Sequence, residues 1–491
     1  MVPRIELRSL MEWSFFNFGV WVDIKVELGW HRVRLCLRPL DNCVRGAFDP
    51  SDNEEEEYAM SNKTRVMIET LQEEIGNVVC ISGWIHRIRI LKNVVFIVVR
   101  DRTGLVQCVM SPEQFEANHI YLETVVRLFG TCTAAKNTLN PFEVLVESIE
   151  ILNESEPELP FMVNGETLDV QLDTLLNHRV LSLRNRSEQA IFKVQSTLSE
   201  AFGAFLRGND FLEIHTPKIV KEGAEGGANV FSMDYFGEKA YLAQSPQFYK
   251  QMMVISGVER VFEVGPVFRA EPHSTSRHLN EYISMDLEMG FIEDESELMA
   301  LETNLLKAMI GKVAQECPKE LEILKVALPK VPDKIPRMKL SEAIDVLKSL
   351  YGKTELEGDL DPEGERLIAQ HVYELSGSEF LFLTHYPQYK RPMYTMPSGE
   401  TETKGFDLLF RGLEITTGGL RIHKLDQLKE SMKKKGLDPE AYESYLEAFK
   451  YGAPPHGGLA IGLERLTAQL LGYKNIRRTT LFPRDGQRLT P

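Results

Sequence analysis

The sequence predicts an α+β protein, a small β-barrel followed by a larger domain in which an antiparallel sheet is flanked by helices. Three observations carry this. Residues 77–155 hold five short runs rich in β-branched residues, separated by turn signals such as "DRTG". From about residue 177 the pattern changes to longer segments with apolar residues at helical spacing, with strand pairs between them. These helices and strands do not alternate regularly, so a doubly wound parallel sheet is not read.

The five runs are "NVVCISGWIH", "NVVFIVVRD", "GLVQCVM", "ETVVRLFGTCTA" and "FEVLVESIEIL", with one helical stretch near "SPEQFEAN". Five strands and one helix fit an OB-type barrel, a common nucleic-acid module, or another small barrel. This domain is placed at residues 60–155. Residues 156–176, acidic and with two prolines, read as a linker. The second domain occupies 177–491. It opens on the helical run "SEQAIFKVQSTLSEAFGAFLRGNDF", and 294–316 and 424–450 hold further helices.

Residues 1–59 stand apart. They hold Trp13, Trp21 and Trp30, three of the four tryptophans, and end in the acidic run "DPSDNEEEEYAM". They read as an atypical extension. It is either an appended segment or, the preferred reading, upstream sequence translated ahead of Met60. No apolar core with a cleavage site marks a signal peptide.

The bulk composition excludes several classes. The net charge of −16 argues against indiscriminate nucleic-acid binding, though not against a local basic path. No apolar run approaches the ~18 residues of a membrane span. The six cysteines (Cys36, Cys43, Cys80, Cys108, Cys132, Cys317) form no CxxC pair, which argues against a zinc site or a disulfide framework and for a reducing cytoplasm. Neither a GxGxxG nor a GxxxxGK[ST] motif is present.

The most charged stretch is "VFRAEPHSTSRHLNEYISMDLEM", residues 267–289. Arg269 and Glu271, two apart on an extended chain, share a face, as do Asp286 and Glu288. Arginine suits a phosphate through its planar fork, and a carboxylate can accept from the amine of adenine. Alternate carboxylates facing an arginine suit a nucleotide, a metal and an amine. A cross-strand salt-bridge ladder is the plainer reading of the same residues.

The stretch has company. "FLEIHTPKIV" (211–220), "FRAE…RHLNE" (268–281) and "GLAIGLERL" (458–466) together, in this order, resemble motifs 1, 2 and 3 of the class II aminoacyl-tRNA synthetases. "QSPQFYKQ" (244–251), "GAEGGANVF" (223–231), "FDLLFRGLEITTGGLRIH" (406–423) and the C-terminal "LFPRDGQRLTP" are similar to the aspartyl-tRNA synthetases, of the compact archaeal and eukaryotic-like type. The resemblance covers about residues 65–491. The loop "EPHSTSRH" is a loose version of the family's motif 2 loop.

The resemblance implies an OB-fold anticodon-binding domain, a class II catalytic domain and a homodimer with Pro217 at its interface. It implies ATP-dependent attachment of L-aspartate to tRNA(Asp) through aspartyl-adenylate, with Mg²⁺, in the cytoplasm. The catalytic residues implied are Arg269, Glu271 and Arg465. ATP would be met by these together with Ala270, Arg277, His278, Leu279, Glu414, Gly462, Leu463 and Glu464. Aspartate would be met by Glu225, Gln247, Phe248, Tyr249, Lys250, Arg269, Thr417 and Arg421, with Ser245 as a further hydrogen-bonding group. Lys250 and Arg421 are the cations for its side chain, and Lys250 argues against the asparagine-specific relatives. Glu414, Thr417, Asp286 and Glu288 are the implied Mg²⁺ ligands, and oxygen-only ligands beside phosphates suit that hard ion.

In the barrel, His86, Arg89, Phe96 and Gln107 match anticodon-reading positions. Phe96 could equally be barrel core. His86 stands where the family varies, and a histidine there is expected to favour tRNA(Asp) over tRNA(Asn), with the loop at Leu139, Asn140 and Pro141 lining the other side. A form that also charges tRNA(Asn) is the alternative.

Overall fold

The computed structural model describes residues 64–135, 139–223, 229–272 and 275–491, with the backbone of two short strands, Lys25–Leu28 and His31–Arg34. These two strands pair antiparallel. The rest of the expected extension at 1–59 lies outside the described residues, as does Glu225. The chain divides into two units, Met1–Pro157 and Glu158–Pro491.

The first unit contains a closed five-stranded barrel. Its strands are β1 (Val78–Ile90), β2 (Val95–Arg100), β3 (Leu105–Met110), β4 (Val125–Ala134) and β5 (Phe142–Asn153), in the order β1-β2-β3-β5-β4. The sequence alternates as a half-buried strand must. Val95, Ile97 and Val99 point inward with Ile81, Val106, Val126 and Val144, while Phe96 and Val98 turn outward. Helix α1 (Pro112–Ala117), started by a Ser111–Gln114 capping box, joins β3 to β4. Gly130 lies beside a register shift in β4, and a Cβ there would meet the Leu145 carbonyl oxygen at 2.1 Å, so the strands close only over glycine.

The second unit is built on an eight-stranded sheet. Its strands, in chain order, are β6 (Leu212–Glu213), β7 (Arg260–Phe268), β8 (Glu281–Gly290), β9 (Arg337–Lys339), β10 (Phe380–Thr384), β11 (Gly405–Phe410), β12 (Leu413–Leu420) and β13 (His456–Gly462). They lie in the order β9-β10-β11-β12-β13-β8-β7-β6, antiparallel except at the two edge pairs. Helices α2 (Arg186–Arg207) and α4 (Glu295–Glu316) bury their apolar stripes against one face. Asn185 caps α2, and a capping box of Asp294 and Glu297 starts α4. Along β8 the period of two sends Met285, Leu287 and Met289 into that core and turns Asp286 and Glu288 to the opposite face.

Four further helices frame this sheet. They are α3 (Gln247–Met253), α5 (Leu340–Tyr351), α6 (Pro362–Ser376) and α8 (Leu463–Leu471). Helices α5 and α6 form their own apolar cluster with Leu381 and Leu383 of β10. The expected 424–450 helix is divided, α7 (Leu425–Lys434) being followed by a turn of 3₁₀ helix and a short helix Glu443–Phe449. The segment expected as a linker is only partly one. Phe161, Val163, Leu168 and Leu175 pack together, and Asn185 Nδ2 donates to the carbonyls of Val163 and Gly165. Most of it is therefore part of the second unit.

Candidate active site

On the face of the sheet away from α2 and α4, the strands open a cavity of about 370 Å³. One row of the register crosses it: Asp286 on β8 pairs with Ala460 on β13, which pairs with Thr417 on β12, which pairs with Asp407 on β11. Paired residues in adjacent strands share a face, so these four side chains point the same way. Arg269 and Glu271 enter from the end of β7, Arg277 and His278 from the loop before β8, and Arg465 from the first turn of α8. Helix α3 brings Gln247 and Lys250 to the other end, where Arg421 follows β12.

The inner end is a buried four-charge network. Lys250 Nζ lies 3.0 Å from Asp286 and 3.4 Å from Glu288, and donates to the carbonyls of Leu287 and Leu459. Arg421 donates from Nε to Glu288 at 2.9 Å and from Nη2 to Gln247 and the Gly458 carbonyl. Burial would raise the Glu288 carboxyl, but Arg421 and Lys250 outweigh it and hold it below its usual range. A Cβ on Gly458 would come within 2.1 Å of the Glu288 carboxylate, so glycine there admits the buried acid.

The outer end is rich in arginine. Arg465 lies 3.5 Å from Glu414 and donates from Nε to the Arg277 carbonyl. Thr417 Oγ1 donates to Glu414 at 3.0 Å. Burial pushes Glu414 up, yet Arg465 and Arg391 hold it below the usual carboxylate value. Asp407 goes the other way. Burial pushes it up to about 6, Arg391 opposes this, and the neighbouring Glu414 charge adds to it. Arg391 is 2.8 Å from Asp407 and stacks 3.7 Å over the Tyr386 ring. His278 is held below its usual value by burial and by Arg465.

Most residues picked out in the sequence meet in this cavity: Gln247, Lys250, Arg269, Glu271, Arg277, His278, Leu279, Asp286, Glu414, Thr417, Arg421, Gly462, Glu464 and Arg465, with Ser245. Others do not line it. Phe248 stacks on Tyr445 at 4.2 Å, Leu463 belongs to the core, and Ala270 and Tyr249 are outside the lining. Glu464 reaches the cavity, but its carboxylate accepts from the backbone N–H of Ile283 at 3.1 Å, so it braces α8 on β8.

The metal reading needs correcting at two positions. Glu288 is off the cavity and engaged by Arg421 and Lys250, and Asp286 is engaged by Lys250 and by the Ser284 hydroxyl at 2.5 Å. Both serve as counter-ions. Among the described residues no group of three or more His, Cys, Asp or Glu is arranged to hold a metal. The second carboxylate beside Glu414 is Asp407, which the sequence reading passed over. A lone acid in the apolar run "FDLLF" was its only signal.

On the barrel, Arg89 pairs across β1–β2 with Phe96, and Val98 pairs across β2–β3 with Gln107. These side chains therefore share the outer face. Arg89 is exposed, Phe96 is half-buried, and Gln107 donates to Glu143 at 2.7 Å. His86 differs. It is the extra residue of a β-bulge in β1, buried, with Nδ1 3.1 Å from the Arg100 guanidinium, which is itself bidentate on Glu123. An arginine can only donate, so Nδ1 is the acceptor nitrogen. Asn140 donates to the Leu105 carbonyl at 2.6 Å. Pro217 lies on the exposed turn after β6, flanked by exposed Leu212 and Ile219.

A closed OB-type barrel with a large antiparallel sheet carrying arginines, carboxylates and a nucleotide-sized cavity defines a class. The chain belongs to the class II tRNA synthetases: the family described as "tRNA synthetases class II (D, K and N)" matches residues 171–486, and an "OB-fold nucleic acid binding domain" matches residues 79–152. Among individual relatives, the aspartate--tRNA(Asp/Asn) ligase of Deinococcus radiodurans is 48% identical over 436 residues, covering 87% of this chain and 99% of that protein. The aspartate--tRNA(Asp) ligase of Thermococcus kodakarensis is 42% identical over 439 residues, covering 87% and 100%. The asparaginyl-tRNA synthetase of Pyrococcus horikoshii, solved with asparaginyl-adenylate, superposes with a TM-score of 0.80 at 30% identity, covering 87% of this chain and 100% of that one.

Proposed function

We propose that the chain attaches L-aspartate to tRNA in two ATP-dependent steps. The aspartate α-carboxylate attacks the α-phosphorus of ATP, giving aspartyl-adenylate and pyrophosphate. A terminal ribose hydroxyl of tRNA then takes the aspartyl group and AMP leaves. The observation that carries this is the presence of two buried cations, Lys250 and Arg421, in the same cavity as Arg269 and Glu414. An anionic substrate side chain needs fixed positive charge, and a phosphate needs an arginine fork.

In this reading Arg269 bridges the α-phosphate and the aspartate carboxylate, and so neutralises charge that builds during attack. Glu271 reads adenine, Arg277 and His278 meet the outer phosphates, and Arg465 covers the γ-phosphate. Gln247 and Arg421 orient the substrate carboxylate. All three Lys250 donors already have acceptors in the fold, so this residue acts by compensating Asp286 and Glu288, which would otherwise repel the substrate carboxylate. Glu225 would bind the α-ammonium. Little covalent work is asked of the protein, and positioning supplies most of the acceleration.

Glu414 and the Thr417 hydroxyl on the cavity wall are oxygen donors that fit Mg²⁺, which takes one or two carboxylates and completes its shell with phosphate oxygens and water; Asp407 lies behind that wall, held by Arg391, and would join them only by giving up that pair. The ion would add positive charge at the phosphates when bound.

The barrel presents Arg89, Phe96 and Gln107 to the anticodon. His86, expected to favour tRNA(Asp), is buried and bonded to Arg100. The Deinococcus relative, at the higher identity, is named for both tRNA(Asp) and tRNA(Asn). We therefore favour charging of both tRNAs. A homodimer through the turn at Pro217 and a cytoplasmic location complete the proposal. No helix among the described residues is long and apolar enough to cross a membrane.

ATP–pyrophosphate exchange with aspartate, asparagine and lysine tests the substrate. Aspartate alone should support it, and exchange with either of the others instead would overturn the reading. Side-by-side aminoacylation of tRNA(Asp) and tRNA(Asn) transcripts tests the scope, and charging of tRNA(Asp) alone would restore discrimination.

A further inference from the structure

Arg277 does not stand alone at the mouth of the cavity. Its guanidinium forms an ion pair through Nη2 with Glu365 Oε2, a residue 88 positions further along the chain. Glu365 lies in the first turn of α6, and this turn is itself tied down. Asp361 caps it by accepting from the Gly364 N–H at 2.6 Å, and Lys353 holds both Asp361, at 2.8 Å, and Glu363, at 2.7 Å. Behind the turn, Ile368 and Val372 anchor α6 in the cluster it shares with α5 and β10. Both partners of the pair are shielded, with side-chain exposures of 21% for Arg277 and 13% for Glu365. Arg465 and Glu414 are close enough to act on Glu365 electrostatically.

Arg277 itself belongs to the irregular connection between β7 and β8. Its backbone N–H donates to Thr275 Oγ1 and its carbonyl accepts from Arg465. These bonds fix the main chain and leave a long side chain with several rotamers to be chosen. A guanidinium has five N–H donors, and a carboxylate on one edge leaves donors for phosphate oxygens on the other.

We propose that Glu365 is a positioning residue for ATP, holding the Arg277 guanidinium in the orientation that receives the outer phosphates. The inference rests on the reading of the cavity as an ATP site. It makes the α5–α6 element, remote in sequence from every motif, part of the nucleotide grip. Glu365 is absent from the cavity lining, and its ion pair among the described residues is with Arg277 at the outer end, so its effect falls on ATP.

The test is a double-mutant cycle in ATP–pyrophosphate exchange, using Glu365→Gln, Arg277→Ala and the pair. Glu365→Gln should raise the KM for ATP on the order of tenfold, leave the KM for aspartate within about twofold, and have no further effect on ATP once Arg277 is alanine. Glu365→Asp keeps the charge with a shorter reach and should fall between wild type and Gln. It reads the same quantity if Glu365→Gln folds poorly. An unchanged or lowered KM for ATP in both Glu365 variants would overturn the proposal, as would an equal effect of Glu365→Gln in the Arg277→Ala background. If Arg277→Ala alone leaves the KM for ATP unchanged, the placement of the outer phosphates is wrong and the role of Glu365 falls with it.

Discussion

Arg421 Nε and Glu288 Oε1 meet 2.9 Å apart with side-chain exposures of only 6% and 0%. Lys250 shares the same carboxylate and adds Asp286, so two cations and two anions are buried as a neutral set. Breaking a buried pair by removing one partner typically costs ~3–5 kcal/mol, because the other charge is left without compensation. Lys250→Met should therefore do two things. It should lower the thermal midpoint, and it should reduce aspartate-dependent exchange at least about 100-fold by the same energy scale while ATP binding survives. A near-normal aspartate KM in this variant would show that the cation does not serve the substrate.

Much of this site was legible in the sequence. The alternation of "SMDLEM" placed Asp286 and Glu288 on one face, and the ordered motifs placed Arg269, Glu414 and Arg465 together. What those carboxylates do was not legible. Their partners come from α3 and from the end of β12, 36 and 133 residues away, and the β8–β13 and β12–β13 registers together with the placement of α3 bring them together. Asp407 was missed because a strand acid between apolar residues reads as an exposed edge until its neighbour Arg391 is in place. Glu302 and Glu365 sit on amphipathic helices, where an acid at a buried position cannot be told from one on the solvated face.

Glu302 sets a pH dependence. It is fully buried on α4, and burial pushes it up to about 8, opposed by the nearby Thr416 hydroxyl and helped by the Asp407 charge. Between the ordinary carboxylate range and about 8, the folded state keeps a proton that the unfolded state has lost. The folded state binds more protons there, so stability falls as pH rises through that window. Glu365 and Glu464, each pushed up to about 7 chiefly by burial, add to the fall in its lower part. Glu302→Gln should flatten the decline between pH 5 and 8 and raise the thermal midpoint at pH 8 by roughly a few degrees. Calorimetry across this range checks it, and parallel curves for the two proteins would mean that Glu302 does not titrate there.

Among the described residues the barrel core begins at Val66. Its N–H donates to the Cys80 carbonyl at 2.8 Å, and Ile68 and Leu71 are buried with the strands. Residues 1–59 are expected to be dispensable. A chain beginning at Met60 should have an unchanged thermal midpoint and full aminoacylation, and loss of either would show that the segment is docked.

The outer face of the barrel carries the last expectation. Phe96 is half-buried on the side away from the core, with Arg89 opposite it on β1 and Gln107 one pair along on β3. An aromatic face flanked by a cation and an amide suits an unstacked base: the ring stacks, the amide reads an edge and the guanidinium meets the backbone. Stacking is worth ~1–3 kcal/mol per base, or about 5- to 150-fold in affinity. Phe96→Ala should therefore raise the KM for tRNA within that range and leave ATP–pyrophosphate exchange, which needs no tRNA, unchanged. Gln107→Ala tests edge reading separately. It also releases Glu143, whose carboxylate accepts from Gln107 at 2.7 Å, and the freed negative charge on this face adds repulsion toward RNA. That extra loss should shrink as salt rises, whereas the stacking loss at Phe96 should not. If Phe96→Ala lowers exchange as much as aminoacylation, or leaves the tRNA KM unchanged, the ring is a packing element of the barrel and the anticodon is read elsewhere.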